Sequence, residues 1–421
     1  MNLLSINYKR LFFILGFIAA VLVLAWLLYY VFFVPKNRPG NNNNNGNQPN
    51  YQNQLPQADN GQGNIVSSTP VTPLPAPGGN NNVSTTNSAG IGGGQNPNLP
   101  LQQLSQDMAI GMTPSGNGNT VQYYDGGTQK FYRITNNGTV QTLSDKTFPQ
   151  VQQVVWAPDK NTAILTYPDG TNELYNFVTA KQITLPKSWS EFSFSPSGAQ
   201  LAHKTTGTDN DPNNVWVDVA NADGSADHRV EQIGINADKA IITWSPNNQI
   251  IGLFVDGNGS NGQEVYPMGQ NQENFKSFTV TGRGFESVWS PDGSQLLYSA
   301  NDAATAYRPQ LYLVDANGDR IGLDNQALNV ATFANKCAFA NSGVLYCAVP
   351  TSLADGVGLY PQLGVDVPDQ LYQVNPKTGA RTLITSAGSS YTVSSIQISA
   401  DGNWAYFTDQ ATGALHSAKL K

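Results

Sequence analysis

The stretch that decides the fold is WSPDG, from Trp289 to Gly293, which leads into the apolar strand sequence LLY at 296–298. Proline presets the φ of the second turn residue and glycine tolerates a positive φ at the end, so the phrase predicts a tight turn between two strands. Related phrases begin at Met112, Val155, Phe194, Trp244, Phe339 and Ile398. Seven copies predict seven equivalent units.

A second recurring feature, an apolar residue followed by an aromatic one, marks a third strand in each unit. The second residue of these pairs is Tyr132, Tyr175, Trp216, Tyr266, Tyr312, Tyr372 or, in the last unit, His416. A turn and a fourth strand follow, as in NNG and then VQTL at 136–143. Four short antiparallel strands repeating every 40–50 residues or so are typical of propeller blades. We predict an all-β, seven-bladed β-propeller, with six or eight blades as less favoured alternatives.

The last unit reaches Lys421 after only three strands. The segment LQQLS at 101–105 resembles the fourth-strand segment VQTLS at 140–144. Because an unpaired sheet edge exposes backbone hydrogen-bonding groups, we predict that 99–106 supplies the outer strand of the last blade, and that the propeller covers 99–421.

Residues 11–34 form a 24-residue stretch without charge or proline. As a helix it spans about 36 Å, against a hydrocarbon core of about 30 Å. It is longer than the apolar core of a cleaved signal peptide, and no small-residue cleavage site follows. We predict an uncleaved transmembrane signal anchor in the cell membrane, with residues 1–10 cytoplasmic and the propeller extracytoplasmic. Basic residues flank both ends almost equally, so this orientation rests on the short amino-terminal side.

The following segment, 35–98, is rich in Asn, Gln, Pro and Gly, and Asp59 is its only acidic residue. It has too few apolar residues to form a core, so we predict a disordered linker that holds the propeller away from the bilayer. A prion-like assembly segment is the alternative, but Pro and Gly interrupt every polar run.

Composition restricts the function classes. Only 12% of residues are charged, about half the usual fraction, and the net charge is −7. This acidic balance argues against nucleic-acid binding, which needs a basic face. Two cysteines exclude a zinc site built from four thiolates.

Those cysteines, Cys337 and Cys347, flank a turn centred on Ser342. The turn places them opposite each other across a hairpin, where Cα atoms are close enough for a disulfide. In an oxidising compartment we predict a disulfide bond, and two reduced, packed thiols are the alternative.

No catalytic constellation is visible. We predict that His203, His228 and His416 lie on different blades, without carboxylates at zincin spacing, and the sequence lacks a G-x-S-x-G elbow and a Walker-type loop. We therefore predict a protein without catalytic residues or an organic cofactor.

One segment, DGNGSNGQE at 256–264, is rich in oxygen ligands. It carries Asp256, Asn258, Ser260 and Glu264 at positions 1, 3, 5 and 9, which resembles Ca²⁺-binding loops. A structural Ca²⁺ ion is one interpretation, and a tight hairpin that needs the same residue types is the other.

Long loops fall between the second and third strands of several units, at 205–214, 256–263, 301–309 and 350–369. In a propeller these loops share one face with the connections between blades, a geometry suited to recognition. The longest carries Leu359, Tyr360 and Leu363, which we predict as a partner-binding surface. The alternative is a loop packed on itself.

The Ser-Pro-Asp-Gly phrase after an aromatic strand resembles the TolB-type, PD-motif relatives of WD-repeat propellers, over about residues 106–421. The resemblance implies a bacterial cell-envelope propeller that binds or scaffolds other molecules. TolB itself has a cleaved signal and an extra amino-terminal domain, which differ from the arrangement predicted here. We therefore expect a membrane-tethered propeller that binds an envelope protein or glycan. The alternative is a tethered lyase or hydrolase acting on polysaccharide or peptide.

Overall fold

The computed structural model describes residue 23 and residues 101–421, apart from 116–119, 136–137, 208–210, 212, 259–261, 342 and 386–390. In this part of the chain, the strands form seven four-stranded antiparallel sheets. These are the blades of a seven-bladed, all-β propeller, so the predicted fold class is confirmed.

The strands follow the chain order of the repeats, except that β1 (Leu101–Gln103) belongs to the last blade. Blade 1 holds β2 (Ala109–Pro114), β3 (Thr120–Asp125), β4 (Lys130–Thr135) and β5 (Val140–Thr142). Blade 2 holds β6 (Gln153–Trp156), β7 (Thr162–Thr166), β8 (Asn172–Asn176) and β9 (Gln182–Leu185). Blade 3 holds β10 (Trp189–Phe194), β11 (Gln200–Thr205), β12 (Trp216–Asn221) and β13 (His228–Gln232). Blade 4 holds β14 (Ala240–Ile242), β15 (Ile250–Gly257), β16 (Gly262–Gly269) and β17 (Phe278–Thr281). Blade 5 holds β18 (Arg283–Trp289), β19 (Gln295–Asn301), β20 (Gln310–Asp315) and β21 (Gln326–Ala327). Blade 6 holds β22 (Cys337–Phe339), β23 (Leu345–Pro350), β24 (Asp369–Val374) and β25 (Arg381–Thr385). Blade 7 holds β26 (Val393–Ile398), β27 (Trp404–Asp409), β28 (Leu415–Lys419) and β1. Short 3₁₀ helices lie at Gly234–Lys239, Gly318–Arg320, Ala334–Lys336 and Pro361–Gly364.

The turn phrase of the repeat is fixed by its serine. The Oγ of Ser290 donates to Asp292 Oδ1 at 2.7 Å and accepts from the backbone N–H of Gln295 at 2.9 Å. Gly293 then takes a φ of 69°, which a residue with a side chain adopts at a cost. The equivalent serines Ser195, Ser245 and Ser399 accept the same backbone N–H bond. The phrase is therefore a structural device that sets the register of each first hairpin.

The hydrophobic core lies between neighbouring blades. Strand β19 is buried along almost its whole length because blades cover both of its faces. In the cluster between blades 4 and 5, Ile250 and Leu253 pack with Leu296 and Tyr298, all fully or almost fully buried. A tryptophan of the turn phrase adds a polar link, since Trp289 Nε1 donates to Thr243 Oγ1 of blade 4 at 2.9 Å.

The two ends of the propeller meet in blade 7. Strand β1 pairs antiparallel with β28, with Leu101 opposite Ala418 and Gln103 opposite His416. The chain leaves this sheet through Ser105, whose buried Oγ accepts from the backbone N–H of Leu415 at 2.8 Å and donates to Asp107 O at 2.9 Å. The closing segment thus comes from the start of the repeat array.

One predicted loop is shorter than expected. Strands β15 and β16 continue through Gly257 and from Gly262, with Asp256 opposite Glu264. The Asn- and Gly-rich composition suggested a long loop at 256–263, but the segment extends the hairpin. The other three long loops lie between second and third strands, on what we call the long-loop face. The opposite ends of the blades form the short-turn face.

The predicted amino-terminal segments 1–10, 11–34 and 35–98 lie outside the described residues, apart from residue 23. Within the residues that are described, no helix has the length and apolar character needed to cross a membrane.

If the link through Ser105 secures the closing strand, Ser105→Ala will lower the free energy of unfolding. We expect a loss of about 1–3 kcal/mol, because the substitution leaves a buried backbone N–H without its acceptor. Chemical denaturation of the full chain measures this change.

The matched control is Ser144→Ala, which alters the equivalent serine after the fourth strand of blade 1. Ser144 is only partly buried and accepts a local bond from Lys146 N at 3.1 Å, so we expect a much smaller change. Equal losses for the two variants would contradict a special role for Ser105.

Candidate functional site

The long loop of blade 6, residues 351–368, is held against the neighbouring blade 5. The backbone N–H of Gly356 donates to Ala306 O at 2.8 Å, and that of Gly358 donates to Tyr307 O at 2.7 Å. Ala306 and Tyr307 have φ values of 53° and 55°, a conformation that costs free energy for residues with side chains. In this strained turn the carbonyl groups of Ala306 and Tyr307 accept hydrogen bonds from the loop, and these bonds fix the position of the loop.

A buried asparagine completes this attachment. Asn301 Nδ2 donates to Gly358 O at 3.2 Å and to Arg283 O at 3.0 Å. A Cβ atom at Gly358 would lie 2.5 Å from Asn301 Cγ, so glycine is required for the close approach.

The outer side of this loop exposes the predicted partner-binding residues. Leu359, Tyr360 and Leu363 are 44%, 58% and 50% exposed, and Tyr307 of blade 5, whose carbonyl group binds this loop, is 39% exposed. We call these four residues the apolar patch. Val357 of the same loop is fully buried, so the loop also packs inward, and partner binding by the exposed residues stays a prediction.

The inner side of the same loop covers a small cleft on the long-loop face. Its volume is about 160 Å³. Residues of blades 5, 6 and 7 line it, among them Glu286, Lys336, Leu353, Pro361, Ser394 and Gln410. The volume lies below the 300 Å³ or so at which sites for drug-sized ligands begin, so the cleft has room for one side chain or a group of similar size.

A buried ion pair builds one wall of the cleft. Lys336 Nζ lies 2.9 Å from Asp369 Oδ2, and both side chains are almost fully buried. The same Asp369 oxygen accepts the backbone N–H of Val393 at 2.7 Å. Burial raises the pKa of the Asp369 carboxyl, and the Lys336 ammonium opposes that rise. Lys336, Asp369 and Val393 begin or directly precede strands of blades 6 and 7, so these contacts fix the position of the cleft wall. The charges of Lys336 and Asp369 offset each other.

Glu286 on β18 is a cleft residue whose carboxyl has an unused acceptor. Its Oε2 is buried and has no hydrogen-bond partner among the described residues. Burial raises the pKa of this carboxyl. A buried acceptor without a partner is costly, so the cleft favours a ligand group that donates a hydrogen bond or carries positive charge.

The histidines lie elsewhere. His203 is on β11 and His228 begins β13, both in blade 3, whereas His416 is on β28 in blade 7. The prediction of three different blades is therefore wrong for His203 and His228, which the second and fourth strands of one blade carry. None of them lines the cleft. The described part of the cleft therefore has no histidine with which Glu286 could form an acid–base pair.

The predicted disulfide residues sit directly behind the cleft. Cys337 and Cys347 face each other in the register of β22 and β23, and the structure joins them by a disulfide bond. Cys337 follows Lys336 immediately, so the bond restrains the strand that begins directly after the cleft lysine.

The predicted Ca²⁺ residues are in the extended hairpin of blade 4, away from the cleft residues. Asp256 Oδ1 accepts from Lys239 Nζ at 2.8 Å, and Glu264 Oε2 accepts from Thr279 Oγ1 at 2.8 Å. Ser260 lies outside the described residues, while Asn258 Nδ2 donates to Glu264 Oε2 at 3.3 Å. These contacts fit the hairpin interpretation, and Ca²⁺ binding stays a prediction.

Comparison with known proteins supports the fold. No protein-family model matches the sequence, and no curated protein matches it significantly. An oligogalacturonate lyase solved in complex with manganese is 13% identical, with 77% of this chain and 91% of that chain covered and a TM-score of 0.52. The oligogalacturonate lyase of Vibrio parahaemolyticus is 10% identical, with 76% and 93% covered and a TM-score of 0.54.

A β-propeller domain from Myceliophteria thermophila is similar to the same extent. It is 10% identical, with 76% of this chain and all of that chain covered and a TM-score of 0.51. At these identities the likeness shows the propeller fold alone, and the TolB-type resemblance rests on the turn phrases.

The raised pKa of Glu286 makes stability depend on pH in a defined direction. A carboxyl whose pKa is higher in the folded state binds more protons there, so its contribution to stability falls as pH rises from the unfolded pKa through the folded pKa. We expect Glu286→Gln to melt at a higher temperature than the wild type at pH 7–8. The difference should vanish near pH 3–4, below both pKa values.

Thermal unfolding of both full-length proteins across this pH range measures the effect. Glu264→Gln serves as the control, because Glu264 has hydrogen-bond partners. A Glu286→Gln variant that is less stable than the wild type at pH 8 would contradict the absence of a partner for this carboxyl.

Proposed function

We propose that this chain is a membrane-tethered, extracytoplasmic β-propeller that binds a protein partner through its long-loop face. The observation that carries the proposal is the apolar patch on the outside of a firmly attached loop, next to a cleft with an unsatisfied buried carboxyl.

The patch supports a protein partner. Leu359, Tyr360 and Leu363 are exposed on a loop that backbone hydrogen bonds attach to blade 5. The fixed backbone of the loop therefore keeps these side chains in solvent. Grouped exposed apolar side chains are typical of protein–protein contact sites. Two of the three are leucines, which offer neither hydrogen bonds nor an aromatic face to a sugar.

The cleft supports a basic anchor on that partner. It accommodates a group of side-chain size, and Glu286 provides an acceptor, while Lys336 is already neutralised by Asp369. A lysine or arginine side chain of the partner satisfies both conditions. The net charge of −7 favours the approach of such a partner at long range. A single buried anchor surrounded by apolar contacts is the usual arrangement of a binding hot spot.

The location is argued from two further features. The 24-residue apolar segment 11–34 is long enough to act as the tether, and the linker 35–98 gives reach beyond the bilayer. The Cys337–Cys347 bond suits an oxidising compartment outside the cytoplasm. An enzymatic role is less favoured, because the cleft residues present one unsatisfied carboxyl without a histidine beside it.

The test is site-specific photo-crosslinking with the full chain in its native membrane. A benzophenone amino acid in place of Tyr360 should yield a discrete protein adduct. The same amino acid in place of Val178, which is 73% exposed in a turn of the short-turn face, should yield none. Adding Glu286→Gln to the Tyr360 probe should reduce the adduct about tenfold, as expected for loss of a hydrogen bond between charged groups.

Three outcomes would contradict the proposal. Equal adducts from the two positions would remove the specificity for the long-loop face. An adduct that glycosidases release and proteases leave intact would identify a glycan instead of a protein. Full crosslinking in the presence of Glu286→Gln would remove the basic anchor from the cleft.

A further inference from the structure

Blade 3 contains a cluster of ligating side chains that the proposed function does not use. His203 on β11 lies opposite Asp218 on β12, and Asp227 immediately precedes β13. One ligating atom from each of these three residues lies within 4.8 Å of the other two. Three consecutive strands of one sheet thus converge on one point.

Two of the three side chains are buried, and the buried carboxylate has an unsatisfied oxygen. His203 is fully buried and Asp218 is 2% exposed. Asp218 Oδ1 has no hydrogen-bond partner among the described residues, whereas Asp218 Oδ2 accepts from Thr205 Oγ1. A buried carboxylate oxygen without a donor needs a compensating charge or a cation.

No lysine or arginine in the described part of the chain forms a direct ion pair with these carboxylates. Arg229 lies opposite Asp218 in the β12–β13 register, but its guanidinium lies over the Trp216 ring, 4.8 Å from the ring centre. Neither Asp218 nor Asp227 forms a salt bridge with a lysine or arginine among the described residues.

The imidazole is held in a fixed orientation suited to ligation. Its ring stacks on Trp189 with 3.7 Å between centroids, and Nε2 lies 3.1 Å from Asp227 Oδ1. That separation is near the ligand–ligand distance of about 3.3 Å in a tetrahedral zinc site with bonds of about 2.0–2.1 Å.

We propose that His203, Asp218 and Asp227 form a binding site for a divalent transition-metal ion of the Zn²⁺ class, which links three strands of blade 3. The side chain of Asp227 is 36% exposed, which gives the ion a route from solvent. One nitrogen and two carboxylate ligands match the ligand types of zinc, and water completes the tetrahedron. The imidazole favours Zn²⁺ over Mg²⁺, which prefers an all-oxygen shell.

The test is calorimetric titration of the metal-free full chain with ZnCl₂, and with MgCl₂ for comparison. We expect one equivalent of Zn²⁺ to bind and to raise the melting temperature, and EDTA to reverse that rise. Asp227→Asn should weaken Zn²⁺ binding at least tenfold. Because Asp227 is partly exposed, this substitution should leave the fold intact, and circular dichroism checks that it does.

Asp218→Asn, which keeps the shape and an acceptor for Thr205, should weaken binding to the same degree. His228→Ala is the matched control, since His228 is an exposed imidazole in the same blade whose Nδ1 lies 3.4 Å from Ala226 O. This control should bind Zn²⁺ like the wild type.

A readout on the wild type keeps the proposal testable if variants fail to fold. X-ray absorption of the chain with one equivalent of Zn²⁺ should show one imidazole ligand. A wild type that binds no Zn²⁺, a metal shell without imidazole, or Zn²⁺ affinity unchanged in Asp227→Asn would each overturn the proposal. Loss of binding in His228→Ala would also overturn it, because the site would then lie at that surface histidine.

Discussion

Backbone pairing between β1 and β28 is the interaction on which the propeller depends. The sheet of blade 7 would expose the unpaired edge of β28 if no further strand were added to it. Here residues 101–103 supply that outer strand. The pairing contributes few residues, so Ser105 and the Leu104 N–H, which donates to Leu415 O at 2.7 Å, extend the link beyond the strand. Closing the ring fixes the positions of all seven blades relative to one another.

A closed ring turns separate loops into one surface. Blade 6 carries the long loop, blade 5 supplies the carbonyl groups of Ala306 and Tyr307 that hold it, and blade 7 supplies Ser394 and Gln410 at the edge of the cleft. No single blade contains the cleft. The ion pair of Lys336 and Asp369, neutral as a pair, leaves Glu286 as the recognisable charge in this region. Recognition at the long-loop face therefore relies on the packing of neighbouring blades.

The repeat phrases predicted the blade count and the strand order because turn chemistry is local: serine, proline and glycine act within five residues of sequence. The closing strand was also predictable, since LQQLS repeats a fourth-strand pattern. The cleft was not, because Glu286, Lys336 and Asp369 lie in no common motif and meet only through the packing of blades. His203 and Asp218 come together only because β11 and β12 pair in a particular register. The sequence does not predict that register, because a long loop joins the two strands. Asn and Gly are common both in long loops and in tight hairpin turns, so composition alone did not distinguish a long loop at 256–263 from the extended hairpin.

Hydrogen exchange measured by mass spectrometry on the full chain tests the closure most directly. Amides that open only with the whole fold exchange together and slowly. If 101–103 completes blade 7, the hydrogen-bonded amides of β1 and β28 should exchange at the same slow rate as those of the central strand β19. Rapid exchange of the β1 amides while the β19 amides stay protected would contradict a ring closed by the amino-terminal strand.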